Sequence, residues 1–312
     1  MTTQSIAVQG AVYAGPSWRQ RLAAATPFIV LVPSVVATLI YVFIFTGWTI
    51  YISLSKSAMF PVATFEGTKA YSDLWANARW NIAYHNLFIY SIFYVIGAMA
   101  LGLTLAILID QRVRAESVWR TVFLYPLAVS FVVTGTVWGW LYSPDSGIQA
   151  LVRSLGWSDF HFALTTSKDT AIYAIIITGI WQSSGFAMAL FLAGLRAVDP
   201  DIIKAAQIDG AGPFRTYTKV ILPTIAPIFV AVLVVLLQFA IKTFDLVVAL
   251  TAGGPGLATT FPALYVYDMM FQRGQIAQGA AAAMMILAAL AIVLVPYALW
   301  LVWRRRREVH NV

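Results

Sequence analysis

Residues 82–109 read IAYHNLFIYSIFYVIGAMALGLTLAILI, an unbroken run without a single Asp, Glu, Lys or Arg. A bilayer core of about 30 Å is crossed by about 20 apolar residues at about 1.5 Å rise per residue. This run is long enough to span. Five further stretches qualify, giving six spans near 28–54, 82–109, 120–142, 171–194, 224–250 and 279–303. In hydrocarbon every backbone N–H and C=O must be satisfied internally, so the spans are read as helices. The alternating ten-residue segments of a β-barrel are absent. The expected fold is all-α: a polytopic membrane protein with six transmembrane helices.

Composition agrees. The chain has 312 residues, 60% hydrophobic and 11% charged, whereas soluble domains run at about 45–50% and about 25%. There is no cysteine, which excludes disulfides, thiolate metal sites and a Cys nucleophile. His85, His161 and His310 lie far apart and show no ligand spacing. The formal charge of +7 fits anchoring at a membrane surface better than nucleic acid, because no basic stripe with interleaved aromatics occurs. The first apolar run begins near Pro27 behind Arg19 and Arg21 and is too long for a signal-peptide core, so it is read as a retained helix.

The loops carry their positive charge unevenly. With the N-terminus inside, cytoplasmic segments hold Arg19, Arg21, Arg112, Arg114, Arg120, Arg196, Lys204, Arg215, Lys219 and the run from Arg304 to Arg307, thirteen of the twenty Lys and Arg. The opposite side holds Lys56, Lys69, Arg79, Arg153, Lys168 and Arg273, and Lys242 lies within a span. This bias places both termini in the cytoplasm. Residues 1–26 form an N-terminal tail, 27–305 the membrane domain and 306–312 a C-terminal tail. Trp48, Tyr51, Trp80, Trp138, Trp140, Tyr142, Trp300 and Trp303 sit at positions expected of interfacial belts. Asp110, at the inner end of the second span, is read as interfacial.

Between the fourth and fifth spans, residues 194–223 read GLRAVDPDIIKAAQIDGAGPFRTYTKVILP. Asp199 is a good N-cap, Pro200 suits the first helical position and Asp201 favours the positive helix end. The helix runs to Ile208, and Asp209-Gly210 followed by Pro213 stops it. A second short helix begins at Pro213 and ends before Pro223. The apolar residues Ile202, Ile203 and Ile208, beside the small Ala205 and Ala206, make either a docking surface or a helix packed on its own spans.

This loop resembles the EAA loop of importer-type ABC permeases. The resemblance rests on Lys204-Ala205-Ala206, two residues, Asp209-Gly210, nine residues and Val220-Ile221-Leu222-Pro223. The family pattern has Glu where Lys204 stands and Ile where Val220 stands. The first change reverses a charge, so a salt bridge from that position does not carry over. The resemblance implies an ABC-permease fold in which residues 195–223 form the coupling loop. Lys204, Ala205, Ala206, Asp209, Gly210, Leu222 and Pro223 then meet the ATP-hydrolysing subunit.

Trp181-Gln182, Phe191-Leu192-Ala193-Gly194-Leu195, Phe244-Asp245, Leu250 to Pro255, Tyr265-Val266-Tyr267, Phe271 and the run from Gly279 to Ala282 resemble carbohydrate permeases of the maltose-transporter type. The run from Ala240 to Asp245 looks most like the glucose/mannose branch. By resemblance, Gln182, Phe186, Thr243 and Phe244 line the sugar path, and the substrate is a monosaccharide such as glucose or mannose. The implied partners are a second permease subunit in a heterodimer, two ATPase subunits, an extracellular or periplasmic sugar-binding protein and the lipid bilayer, with no nucleic acid. The chain binds no cofactor, and ATP and Mg are used by the partner ATPase. It is expected to be a transport subunit and not an enzyme.

Lys242 and Asp245 sit toward the outer half of the fifth span and are three residues apart, so they share a helix face. An ionised group at mid-bilayer costs about 2.5–3.5 kcal/mol on insertion scales. The two either hydrogen-bond sugar hydroxyls or pair with each other or with the partner permease. Gln182, Ser183 and Ser184 either pack helices or line the path. A neutral sugar suits hydroxyl-binding side chains with aromatic faces such as Phe244 or Trp181.

Two rivals differ in class. An ion-gradient-driven secondary transporter needs acidic relays and broken helices in paired halves, and an integral-membrane enzyme needs a constellation of titratable groups. No Gly-x4-Gly-Lys-Ser/Thr loop occurs, so ATP chemistry belongs to another chain. Asp245→Ala and Gln182→Ala are each expected to abolish uptake while leaving assembly intact, and unchanged sugar transport in both removes these residues from the path.

Overall fold

The computed structural model describes the backbone of residues 18–111 and 113–310, and the side chains of all of these except 19–30, 304, 305 and 307–310. Most of the N-terminal tail, Arg112 and the side chains of Arg19, Arg21, Arg304, Arg305 and Arg307 therefore lie outside the described residues.

The elements in chain order are α1 (Trp18–Ser53), α2 (Lys69–Ala76), α3 (Ala78–Asp110), α4 (Glu116–Ala128), α5 (Phe131–Tyr142), α6 (Ile148–Ser154) and α7 (Ala171–Arg196). Next come α8 (Pro200–Ile208), α9 (Pro213–Thr216), a π-helical turn (Tyr217–Ile221) and α10 (Leu222–Thr224). The chain ends with α11 (Ala226–Ile241), α12 (Asp245–Leu250), α13 (Pro262–Tyr267), a second π-helical turn (Asp268–Gln272) and α14 (Ile276–His310).

Among the described residues, four helices are long and apolar enough to cross a membrane unaided: the 31–53 part of α1, α3, α7 and the 276–303 part of α14. Two bent pairs raise the number to as many as six. These are α4 with α5, bent by 97°, and the 213–224 segment with α11, bent by 67°.

The described residues up to Thr49 and those from Ile50 onward form two units. In the first, the described side chains from Leu31 onward are mostly exposed. Two of its hydroxyls turn back onto the helix, Thr38 Oγ1 donating to Ser34 O and Thr49 Oγ1 to Phe45 O. An apolar helix of this kind suits lipid.

The second unit is built on α3 against α7. α3 buries Ala98, Gly102 and Ala106, and α7 buries Gly179, Ser183 and Ala187. Each set repeats every four residues, which puts small side chains on one face and lets backbones approach. A Cβ on Gly102 would stand 2.6 Å from Ala187 Cβ and 2.8 Å from Met188 N. Tyr94 Oη donates to Ser183 Oγ at 2.8 Å within this seam, so Ser183 acts in helix packing.

Several expectations change. Trp80 and Tyr142 are buried. Trp80 lies edge-on to Tyr265, and Tyr142 Oη meets Thr178 Oγ1 at 3.3 Å. Rings held in this way belong to the core, so neither residue forms an interfacial belt. Helix α1 begins at Trp18, inside the stretch read as a tail, and α14 runs to His310.

The third and fifth spans are not continuous helices. Pro126 lies inside α4, and Val129 is extended (φ −80°, ψ 136°) before Ser130 caps α5 by accepting from Val133 N. The fifth span stops at Ile241 and restarts at Asp245.

Overpacking a core costs about 1–3 kcal/mol. Gly102→Leu is therefore expected to lower the detergent unfolding midpoint, whereas Leu101→Ala, on the exposed face of α3, is expected to leave it near the parent value. Equal midpoints for the two variants would contradict the packing account.

Candidate functional site

The break between α11 and α12 has no Pro or Gly to announce it. Its cause lies in the packing of α12. That helix docks on α5 at Gly135, where a Cβ would come within 2.7 Å of Ala249 Cβ and 3.1 Å of Leu250 N. Seating α12 there draws the chain off the α11 axis. The freed backbone is re-satisfied locally: Thr243 Oγ1 donates to Phe239 O at 2.9 Å, Lys242 N donates to Gln238 O and Thr243 N to Ala240 O. Such repair is required of irregular backbone at membrane depth.

The break opens a cavity of about 220 Å³ lined by Phe131, Phe239, Lys242, Thr243, Phe244, Asp245 and Leu246. Both charged side chains are exposed, and among the described residues neither forms an ion pair. They flank the break and do not share a helix face, because α11 ends before Lys242 and α12 begins at Asp245. The mutual pair that their spacing allows is thus not formed. Phe186 stands behind the wall, its ring 5.7 Å from that of Phe239. Phe244 meets Tyr267 at 5.5 Å.

Gln182 is placed differently. It is buried, and its Nε2 donates to Val129 O at 2.8 Å, the carbonyl that the α4–α5 break leaves free. Its Oε1 has no partner among the described residues. Gln182 therefore repairs one helix break, while Lys242, Thr243, Phe244 and Asp245 line the other. Trp181 packs edge-on against Trp138 at 5.6 Å. Phe131, just past the first break, is a cavity residue that periodicity did not single out, although Ser130 as an N-cap before it was a usable signal.

The 195–223 loop folds as its residues direct. Asp199 Oδ1 accepts from Asp201 N at 2.9 Å, and Pro200 opens α8. The helix ends in a Schellman motif, with Gly210 N donating to Gln207 O and Ala211 N to Ala206 O, both at 3.0 Å. Gly210 has φ +79°, a left-handed conformation that costs an L-residue about 1–2 kcal/mol. This is the physical need for Gly after Asp209.

Lys204 turns to its own helix, with Nζ 2.9 Å from Asp201 Oδ1. α8 buries no residue. Ile208 is 86% exposed and Phe214 83% exposed. Ile203 packs against the core, as does Leu222. Lys204, Ala205, Asp209, Gly210 and Pro223 are exposed and Ala206 is half-buried. The loop therefore presents three exposed apolar side chains, Ile202, Ile208 and Phe214, on a polar, small-residue surface. Of these, Phe214 was not singled out by the sequence.

At the base of the loop lies a charged cluster. Arg196 Nη1 sits 2.8 Å from Glu116 Oε1, and Arg196 Nε lies 3.9 Å from Asp110 Oδ1. Tyr217 Oη donates to Asp110 Oδ2 at 2.9 Å and accepts from Gln111 Nε2 at 2.8 Å. Elsewhere the half-buried Arg79 guanidinium pairs with the buried Asp268. No group of His, Asp and Glu that could hold a metal occurs among the described residues.

Comparison with known proteins places these features in a family. The family described as "Binding-protein-dependent transport system inner membrane component" matches residues 98–308, which include the loop and the cavity. A probable ABC transporter permease protein of Pyrococcus horikoshii is 36% identical over 278 residues, 88% of this chain and 95% of that one. A xylose/arabinose import permease protein of Haloferax volcanii is 38% identical over 201 residues, 64% of this chain and 63% of that one. A chain in the crystal structure of a bacterial ABC transporter involved in the import of alginate shares the fold. Its TM-score is 0.76 at 20% identity, over 90% of this chain and 97% of that chain.

The geometry revises one expectation. Leaving Val129 O unsatisfied costs about 1–3 kcal/mol, so Gln182→Ala is expected to lower the unfolding midpoint as well as uptake. Asp245→Ala is expected to lower uptake alone. Parallel thermal unfolding of the two purified variants checks this, and an unchanged midpoint for Gln182→Ala would return that residue to the path.

Proposed function

This chain belongs to the binding-protein-dependent transport system inner membrane component family, and from that premise we propose that it forms half of the translocation path of an ATP-driven sugar importer. It is a multi-pass membrane permease component and not an enzyme. The observation that carries the sugar reading is the cavity at the 242–244 break. It is walled by Phe131, Phe239 and Phe244 and edged by a hydroxyl and by a cation and a carboxylate that form no ion pair among the described residues. Aromatic faces take the apolar side of a sugar ring, and Lys242, Thr243 and Asp245 take its hydroxyls.

The volume, about 220 Å³, lies below the roughly 300–1,000 Å³ of clefts for drug-sized ligands and favours a monosaccharide. The relative named for xylose/arabinose import supports the same size class. The resemblance of residues 240–245 to the glucose/mannose branch makes glucose or mannose the first substrates to try.

Two ATPase subunits serve the complex, and the 195–223 loop docks on one of them through Lys204, Ala205, Ala206, Asp209, Gly210 and Pro223, with Ile208 and Phe214 as apolar anchors. Leu222, packed inward, fixes the loop to the bundle. A second permease subunit completes a heterodimeric path, and a sugar-binding protein delivers substrate at the outer face. Both termini lie in the cytoplasm, following the bias of Lys and Arg. ATP and Mg act only in the partner subunits. ATP binding there shifts the permease between inward- and outward-facing states, which requires contacts that differ between the two.

Co-purification with the tagged chain is expected to recover an ATPase and a second six-span protein. In vesicles, uptake of labelled glucose or mannose is expected to require that ATPase and to fall to background in Asp245→Ala. Uptake that survives loss of the ATPase and collapses with an uncoupler would overturn the proposal in favour of an ion-gradient-driven transporter.

A further inference from the structure

The coupling loop leaves α7 after Arg196 and returns at Tyr217, and both residues converge on one carboxylate. Asp110, the last residue of α3, accepts from Tyr217 Oη at 2.9 Å and faces Arg196 Nε at 3.9 Å. Glu116, the first residue of α4, holds the same guanidinium through Nη1 at 2.8 Å and faces Arg120 at 3.6 Å. Gln111 also donates to Tyr217 Oη. Two elements that are distant in sequence thus meet at the α3–α4 turn: the end of α7 and the π-helical turn that leads through α10 toward α11.

The arrangement is a poor way to add stability. The side chains of Arg196, Asp110 and Glu116 are 41%, 24% and 28% exposed, and exposed ion pairs contribute about 0–1 kcal/mol. Its value is geometric. A loop fixed only at its two covalent ends can pivot on them. A loop whose entrance and exit are pinned to a third element moves that element with it.

The elements so pinned reach the cavity. α4 ends at the break that Gln182 repairs, after which Phe131 enters the cavity wall. The π-helical turn leads through α10 and the bend at Ile225 into α11, which carries Phe239 to the same wall, with Lys242 just past its end.

We propose that Asp110 is a positioning residue for energy coupling: with Glu116 it clamps the entrance and exit of the coupling loop to the α3–α4 turn, so that displacement of the loop moves α3, α4 and α11 as one body. This rests on the transporter reading above. The clamp stays closed through the cycle, because opening it would let the loop move without the helices. It transmits force and touches neither nucleotide nor sugar.

The test is hydrogen exchange of peptides spanning 128–134 and 238–250 in the transporter assembled with its ATPase, with and without ATP, Mg and vanadate. Coupling free energies correspond to about 5–150-fold, so Asp110→Asn with Glu116→Gln is expected to shrink the nucleotide-induced change about fivefold or more while the ATPase still co-purifies. Tyr217→Phe keeps every charge and is expected to reduce it about twofold, the lower end of single-residue coupling effects.

The chain has no cysteine, and the cleft beside Asp110 and Arg196, about 550 Å³, admits a reagent. Asp110→Cys with Tyr217→Cys is expected to lose the response, and a short bifunctional methanethiosulfonate linker between the two cysteines is expected to restore at least half of it. Parent-like responses in Tyr217→Phe or the unlinked cysteine pair would overturn the clamp, as would a linked pair no better than the unlinked one. A parent that recovers no ATPase, or that shows no nucleotide response, would overturn the transporter reading instead.

Discussion

Within hydrocarbon a backbone N–H or C=O without a partner costs several kcal/mol, and no water is at hand to supply one. This constraint decides where the chain can depart from a continuous helix. Apart from the bend at Ile225, it does so within its spans at 129–130 and at 242–244. At the first break the amide of Gln182 takes up Val129 O. At the second the Thr243 hydroxyl takes up Phe239 O. Both breaks border one cavity, since Phe131 lies just past the first and Lys242 to Asp245 span the second. Irregular backbone at membrane depth is tolerated where it lines a cavity, and it brings polar groups to a place that straight helices would close.

Small residues make room for the breaks. α3 and α7 approach through four-residue repeats of Ala, Gly and Ser, and α12 reaches α5 over Gly135. With little hydrophobic drive between helices in lipid, such contact is what holds a bundle together. The resulting spine is closely packed, so a push at one end can be felt at the other. The loop at 195–223 is equally determined: Asp199 starts α8, Gly210 ends it, and no side chain of α8 is buried. A helix that gives the core so little, and bares Ile208 with Phe214 close by in sequence, is shaped for another surface.

Much of this was legible in the residues. The long apolar runs specify membrane helices because the bilayer fixes their length. The caps at Asp199 and Gly210 specify α8 because local hydrogen bonds determine them. The break at 242–244 was not legible: Lys242, Thr243 and Phe244 break no helix rule, and the cause is α12 docking on α5, a contact between residues far apart in sequence. For the same reason the spacing of Lys242 and Asp245 misled, since it counts as one face only on an unbroken helix. Trp80 and Tyr142 carry the composition of a belt, but their neighbours Tyr265 and Thr178 draw them into the core. Gln182 fits a path residue by resemblance, and only the position of Val129 O reveals its structural duty.

In the proposed function the loop is the contact through which a nucleotide-hydrolysing subunit drives the bundle. The most direct measurement is photo-crosslinking from p-benzoylphenylalanine placed at Phe214 in the intact cell membrane. The predicted result is a single dominant adduct with an ATPase subunit, strengthened or weakened by nucleotide. Adducts only with lipid or with outer-face proteins, or reaction of the same position with a membrane-impermeant reagent from outside, would contradict it.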